Sequence, residues 1–466
     1  MSSTTHDPVF TGRLVLRGER GFEQARVGPV FNARRPGRQP AAVLLAETAD
    51  DVVAGVKLAR QRDWQVSVRS GGHSWAAWSV RQDCLLIDLA GLREIDYDAA
   101  AGIVRVSPAV PGGNELNPAL VPEGVFFPSG HCPTVGLGGF LLQGGMGWNC
   151  RGWGWACERI VAVDVVTASG ELVRADENHN TDLFWAARGA GPGFPGIVVR
   201  FHLAVRPYPR ALTQSTLVYP SELGPEVLHW AQSIQDGLAS TVEIVVLGLT
   251  PAGAPDTRQC IVVHGVAFEN EPARAAEVLA PLAQAPFAGA AEVRELARPT
   301  SLAEENIEQE RQNKQGNRFA VDNAWSAAGP EELTGLLTDL FTALPSRDSY
   351  TLWYGMGPLR PLPDMALSLQ ENNYLAAYVS WPHVRDDDRC RSWLERQMHR
   401  LEPVTTGQYL GDSDFTTRQL TFLGDAQFDR LKTIQAQRDP GGLFAGYLCA
   451  EGPATNRNHW QRTGTE

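Results

Sequence analysis

The chain has 466 residues, of which 43% are hydrophobic and 20% charged, and its formal net charge is -12. That length exceeds one ordinary core, so at least two are predicted. The acidic balance argues against nucleic acid or an anionic membrane as a partner, and no run of about 18 apolar residues offers a membrane span.

Short apolar runs alternate with glycine-rich turns from Ala41 to about Tyr208: "AAVLLA", "QVSVRS", "CLLIDL", "IVRVSP", "IVAVDVVTASGELV" and "GIVVRFHLAV". These read as strands. Val52, Val53, Val56 and Ala59 recur at helical spacing behind Thr48, a capping residue, and Asp50 and Asp51, which fit a first turn. They predict a helix over 49–63. The proline cluster "RPYPR", Arg206 to Arg210, marks a boundary. Beyond it, "VEIVVLGLT", "CIVVHGVAF", "YTLWYGMG" and "NYLAAYVSW" read as strands, and helices are predicted over 271–284, 331–344 and 386–401. The pattern predicts an antiparallel sheet covered by helices on one face, within an α+β protein. A last helix, "DAQFDRLKTIQAQ", closes at "DPGG". The expected division is 1–208, 209–404 and a C-terminal segment 405–466 that returns to the first part.

The seven cysteines, Cys84, Cys132, Cys150, Cys157, Cys260, Cys390 and Cys449, include no C-x-x-C pair, and the histidines form no H-E-x-x-H. Neither a disulfide framework nor a metal is expected. The start, "MSSTTHDPVF", lacks a charged segment followed by an apolar stretch, so the expected location is the cytoplasm.

Two stretches carry chemistry. In "SVRSGGHSW", Ser67 to Trp75, two glycines allow a tight turn that brings backbone N–H groups near an anion, Arg69 adds a fixed positive charge, and His73 supplies a nucleophilic imidazole. The tract from Gly136 to Gly154 holds eight glycines in 19 positions, where the chain average of 46 in 466 gives about two. Such a tract suits a backbone that must approach a large flat or phosphorylated ligand. It does not follow the strand, G-x-G-x-x-G, helix order of a Rossmann fingerprint. Cys132 stands at its entrance, where a neighbouring imidazolium or backbone N–H groups would lower the thiol pKa. Two glycine-framed loops with one nucleophile each can hold one electrophilic ring at two points.

These loops resemble those of the berberine-bridge-enzyme-like flavoprotein oxidases, which share the vanillyl-alcohol-oxidase, or PCMH-type, flavin fold. The resemblance rests on "RSGGHSW", "CPTVGLGG", "QGGMGW", "VDVVTASGE" and "DLFWAARGAGPGFPGIV", with "QYLGDSD" and "RDPGGLF" in the tail, in family order over most of the chain. It implies FAD attached bicovalently, through His73 to the 8α-methyl and through Cys132 to C6. It further implies a cradle formed by Arg69, Ser70, Gly71, Gly72, Ser74, Val135, Gly136, Gly138, Gly139, Gly144, Gly145, Gly147, Ile160, Gly196, Val198 and Tyr447. Val135, at the position that gates oxygen, implies O2 as electron acceptor with H2O2 as product.

The substrate side departs from the family. Trp75 stands for a common tyrosine, Phe140 for a histidine, Phe194-Pro195 for Asn-Phe, Gly411 for an asparagine, and Ala377 for a Glu or Gln. Trp75, Phe140, Trp353 and Ala377 are therefore expected around the substrate. With no acid at Ala377, Tyr409 is the first candidate for the base that takes a hydroxyl proton, on a strand passing over the flavin, with Tyr354 and Tyr378 behind it. The expected reaction is dehydrogenation of a CH–OH or related centre of a bulky saccharide or secondary metabolite. A dehydrogenase, an amine oxidase, or a cyclase with structural FAD are the alternatives.

Overall fold

The computed structural model describes residues 8–255 and 258–448; Cys449 and the rest of the 405–466 segment after residue 448 lie outside the described residues. Two sheets build the first part. β1 (Arg13–Leu16), β2 (Ala42–Leu45), β3 (Val66–Arg69) and β4 (Leu85–Asp88) form a mixed sheet in the order β1-β2-β4-β3. β2, β4 and β3 are parallel in it. β5 (Ile95–Asp98), β6 (Ile103–Val106), β8 (Ile160–Val166), β9 (Leu172–Asp176) and β10 (Ile197–Ala204) form an antiparallel sheet in the order β5-β6-β10-β8-β9. The two-residue strands β7 (Val125–Phe126) and β11 (Arg206–Pro207) pair beside them.

The Ala49–Gln61 helix connects β2 to β3 and buries Val52, Val56 and Ala59. Thr48 accepts from the Asp51 N–H, and the Asp51 carboxylate accepts from the main chain of Thr48, which is a capping box. The same carboxylate takes the N–H groups of Thr11, Gly12 and Glu47, so it also ties the β1 approach to the helix.

A seven-stranded antiparallel sheet begins at Ala211. Its strands are β12 (Ala211–Pro220), β13 (Val242–Leu249), β14 (Cys260–Glu269), β15 (Val293–Pro299), β16 (Arg318–Ser326), β17 (Tyr350–Gly355) and β18 (Asn373–Trp381), ordered β15-β12-β14-β13-β17-β18-β16. Val227, Leu279, Leu337 and Leu394, from four helices, pack on one face with Leu375, Ala377 and Val379 of β18. The alternate residues Tyr374, Ala376 and Tyr378 belong to the core shared with the first part. This is the period-2 alternation of a strand buried on both faces. The sheet is larger than the sequence pattern predicts, because β12, β15 and β16 were not among the expected strands. A fifth helix, Leu302–Gln312, lies across the face opposite the other four: its Glu305 bonds His264 of β14.

The tail returns to the first sheet. The Asp425–Arg438 helix pairs Arg438 with Asp182, and Phe444 bridges Val66 of β3. The "QYLGDSD" segment is an irregular stretch with one turn of 3-10 helix over Leu410–Asp412, not the expected strand. Asn323 holds it: its amide N–H donates to the Tyr409 carbonyl and its oxygen accepts from the Tyr409 N–H. No helix among the described residues is long and apolar enough to cross a membrane.

Candidate functional site

A cavity of about 760 Å³ runs between the β3 loop, the glycine tract, the open face of the large sheet and the tail. At the end of β3 the chain turns through Ser70, Gly71, Gly72, His73 and Ser74, all of which line the cavity. A Cβ on Gly71 would stand 2.6 Å from the nitrogen of Gly136, and one on Gly138 would stand 2.7 Å from Ser70 Oγ. Gly72 has φ +73 and faces the Pro29 carbonyl. The two loops therefore meet backbone on backbone at Gly71 and Gly136, which only glycine permits there. Val135, Gly136, Gly138 and Gly139 join them in the wall.

Arg69 departs from expectation. Its guanidinium donates to Asp88 Oδ2 at 3.0 and 2.6 Å and to the carbonyls of Arg26 and Ala25. The charge is neutralised inside the protein, so Arg69 braces the loop rather than offering a free cation to an anion.

His73 stacks on Phe31, with ring centroids 4.4 Å apart. Burial lowers its pKa to about 4 against a bond to the main chain of Thr134, so the imidazole is neutral and nucleophilic at ordinary pH. Thr134 also reaches Cys132, with Oγ1 3.5 Å from Sγ. One threonine thus links the two expected attachment points. The Cys132 thiol is pushed up by burial, the reverse of the expected lowering. The neighbouring imidazole is turned elsewhere, for His131 Nε2 lies 2.7 Å from Glu243 Oε1. Burial would lower His131, but the Glu243 charge and hydrogen bond raise it.

The polar groups concentrate at two poles. At the first, Asp412 Oδ2 accepts from Tyr374 at 2.7 Å and from Tyr378 at 2.8 Å, while Oδ1 accepts from Trp75 Nε1 at 3.0 Å. At the second, Glu243 accepts from His131, Tyr354 at 3.0 Å and the Asn149 N–H at 2.6 Å. Sequence reasoning missed Asp412, Glu243 and Tyr374. The available signal for Asp412 was an acid three residues after Tyr409, in a tail segment that resembles the family's.

The three candidate bases, Tyr409, Tyr354 and Tyr378, do line the cavity. Their environments do not favour phenolates. Burial raises all three pKa values, and Asp412 raises Tyr409 and Tyr378 further, as Glu243 does Tyr354. The charged neighbour of Tyr409 is the Asp412 carboxylate, which opposes ionisation of the phenol. Tyr409 Oη instead accepts the Met146 N–H at 3.2 Å.

Trp75 and Phe140 line the cavity, as do Gly196 and Val198, but Trp353 and Ala377 do not. Both belong to the core under the helices, where Trp353 Nε1 donates to Asn373 Oδ1 at 2.8 Å. A one-residue step along a strand reverses the face, so the cavity-lining neighbours are Leu352 and Tyr354 beside Trp353, and Tyr378 beside Ala377. Gly144, Gly145 and Gly147 serve close packing instead of the cavity wall: Cβ atoms there would meet Leu367 and Trp155, Phe140, and the Pro128 carbonyl. Ile160 is a core residue. Tyr447 stands behind the wall, donating to the Ala190 carbonyl at 2.7 Å, while Phe444 and Ala445 before it face the cavity.

Two buried polar atoms on the cavity wall, Ser67 Oγ and Trp78 Nε1, have no hydrogen-bond partner among the described residues. Buried polar groups ordinarily find one, so these two await a polar ligand. Together with the Cβ-free approach at Gly71, Gly72, Gly136 and Gly138, they fit a flat, polar cofactor such as FAD. Among the described residues, no group of three or more His, Cys, Asp and Glu is arranged to hold a metal ion.

Comparison with known proteins agrees with this geometry. Residues 40–176 match the family described as FAD binding domain. The FAD-linked oxidoreductase ptmO of Penicillium ochrochloron is 36% identical over 427 residues, covering 91% of this chain and 93% of its own. Among solved structures, 6-hydroxy-D-nicotine oxidase from Arthrobacter nicotinovorans superposes with a TM-score of 0.82 at 19% identity, covering 95% of this chain and 98% of its own. Berberine bridge enzyme from Eschscholzia californica gives 0.80 at 19% identity, covering 93% of this chain and 95% of its own. With the glycine-framed cradle and a relative aligned over nearly its whole length, the chain belongs to the FAD-linked oxidoreductases and has the PCMH-type fold of berberine bridge enzyme.

Proposed function

We propose that His73 and Cys132 hold FAD by two covalent bonds and that the enzyme oxidises a carbinol centre of a bulky small molecule, with O2 reduced to H2O2. The observation that carries this reading is the placing of Asp412, with two phenols on one of its oxygens, in the same cavity as both nucleophiles. Bound FAD supplies the two-electron acceptor for the carbon-bound hydrogen and passes the electrons to O2.

The protein's part is the proton. Burial and the adjacent carboxylate hold Tyr374 and Tyr378 as neutral phenols, so neither is a ready base. A substrate hydroxyl hydrogen-bonded to a phenol oxygen can give up its proton to that oxygen as the phenol passes its own to Asp412 Oδ2. Asp412 is then the final acceptor and the phenols relay. Trp75 on Oδ1 fixes the carboxylate in that orientation. Tyr409, held by the Met146 N–H, shapes the wall beside it. Val135 and Phe140 limit access from the glycine tract, and Val135 is the proposed guard of oxygen approach.

The test is anaerobic mixing of holoenzyme with a panel of alcohols and amines, followed by air. Bleaching by an alcohol, recovery in air and one H2O2 per turnover support the reading. Bleaching by amines alone, or turnover without bleaching, would replace it with amine oxidation or with a cyclase.

A further inference from the structure

The large sheet presents one continuous row of residues to the cavity, paired strand by strand: Tyr374 with Tyr354, Tyr354 with Val245, Val245 with His264, and His264 with Thr216. The row starts at the Asp412 pole and ends at a second hydrogen-bonded cluster. There Thr216 Oγ1 lies 2.9 Å from His264 Nδ1, and His264 Nε2 lies 3.2 Å from Glu305 Oε2. Thr300 donates to Glu305 Oε1 at 2.7 Å, and the Gln214 amide, oriented to satisfy both its ends, donates to the same oxygen at 3.1 Å. Burial opposes ionisation of Glu305, but the hydrogen bond from His264 holds its carboxyl below the usual range. His264 therefore donates from Nε2 and accepts from the Thr216 hydroxyl at Nδ1. The Thr216 oxygen keeps its lone pairs for a donor in the cavity.

Between the Asp412 pole and this cluster the sheet carries an apolar strip, although Tyr350, Tyr354 and Gln309 also line the cavity. Val245, Leu247, Leu249, Val262 and Leu352 line it, with no hydrogen-bonding side chain among them. A sugar bound across this strip would lose the water on its hydroxyls without replacement, at a cost an apolar skeleton does not incur. From the strand of Tyr374 to that of Thr216 there are four inter-strand steps of about 4.8 Å, or roughly 19 Å.

We infer that the enzyme takes an elongated, largely apolar alcohol that carries a second hydrogen-bond donor at its far end, received by Thr216 under the orientation of His264 and Glu305. The inference rests on the carbinol-oxidising reading for the near end of the substrate. The far subsite is independent of it, since it involves none of the residues that handle the proton. Thr216 is a specificity residue, and His264 and Glu305 are positioning residues.

The test uses holoenzyme and linear α,ω-diols with the monoalcohols of equal chain length, from hexane to hexadecane, and cellobiose. Dissociation constants come from the shift of the flavin absorbance band, read before any bleaching. Bleaching of the same sample under nitrogen reports oxidation separately. Diols long enough to span the row should bind about fivefold to tenfold tighter than their monoalcohols, the worth of one neutral hydrogen bond, and shorter diols should show no such gain. Thr216→Val, which keeps the side-chain shape, should bring the ratio close to one, and a second variant, His264→Gln, should reduce it. A wild-type ratio near one at every length, an unchanged ratio in Thr216→Val, absence of binding by every alcohol, or tighter binding of cellobiose would overturn the inference. A length-dependent diol gain without bleaching by any alcohol would support the subsite while sinking the oxidation reading.

Discussion

Asp412 accepts a hydrogen bond from Tyr378 at 2.8 Å, across the join between the tail and the last strand of the large sheet. Tyr374 shares the same oxygen. This pairing sets a carboxylate from an irregular tail segment against two phenols of the strand, where it can take the proton that a phenol passes on.

Asp412→Asn keeps the side-chain volume and removes the acceptor charge. It should slow flavin reduction by about 10²- to 10⁴-fold, the usual contribution of a positioned base. Stopped-flow absorbance under nitrogen measures it. A change of only a few-fold, with flavin attachment intact, would remove Asp412 from the proton path.

Tyr409→Phe should behave differently. Its oxygen accepts the Met146 N–H, and burial with the Asp412 charge keeps the phenol protonated. Loss of the hydroxyl leaves that N–H without its partner, at a cost of about 1–3 kcal/mol of stability. Flavin reduction should fall by less than in Asp412→Asn. Thermal unfolding and stopped-flow reduction on one preparation separate the two effects, and a loss of reduction rate matching that of Asp412→Asn would return Tyr409 to the role of base.

What the sequence disclosed follows from how local each feature is. The turn at Gly71-Gly72 and the glycines opposite it are short-range signals, and they place His73 and Cys132 in one wall through Gly136 and Thr134. The Thr48 cap is equally local. Strands that depend on distant partners were harder to find. β16 buries Asp322 and Asn323, which satisfy Arg418, Gln408 and the Tyr409 main chain, so its composition does not look like a core strand. β15 is a charged edge strand. Ala377 and Trp353 were assigned to the wrong face because nothing local distinguishes the two faces of a strand buried on both. Asp412 became significant only once the tail folded back onto Tyr378.

The two attachments should respond to pH in different ways. Burial lowers His73 to about 4, so its imidazole stays neutral as pH falls below the ordinary histidine range. In Cys132→Ala, FAD attachment by apoprotein should therefore proceed at a nearly constant rate between about pH 5 and pH 8. Burial raises the Cys132 thiol, and the thiolate is its nucleophilic form. In His73→Ala, attachment should accelerate as pH rises, by about tenfold per unit while the thiol dominates. In-gel flavin fluorescence against time gives both rates, and parallel profiles would contradict the separate environments.

Val135→Ile adds one methylene to the cavity wall beside the glycine tract. It should slow reoxidation of the reduced enzyme by air while leaving reduction by substrate nearly unchanged. Equal slowing of both half-reactions would make Val135 a packing residue and not a gate.

The central claim, that His73 and Cys132 both hold FAD covalently, is tested most directly by mass spectrometry of the acid-precipitated, proteolysed enzyme. The account predicts a single flavin cross-linking the peptide that contains His73 to the one that contains Cys132. His73→Ala and Cys132→Ala should each keep flavin on the remaining peptide, and the double variant should keep none. Release of all flavin from the wild type on precipitation, or flavin on a peptide containing neither residue, would contradict it.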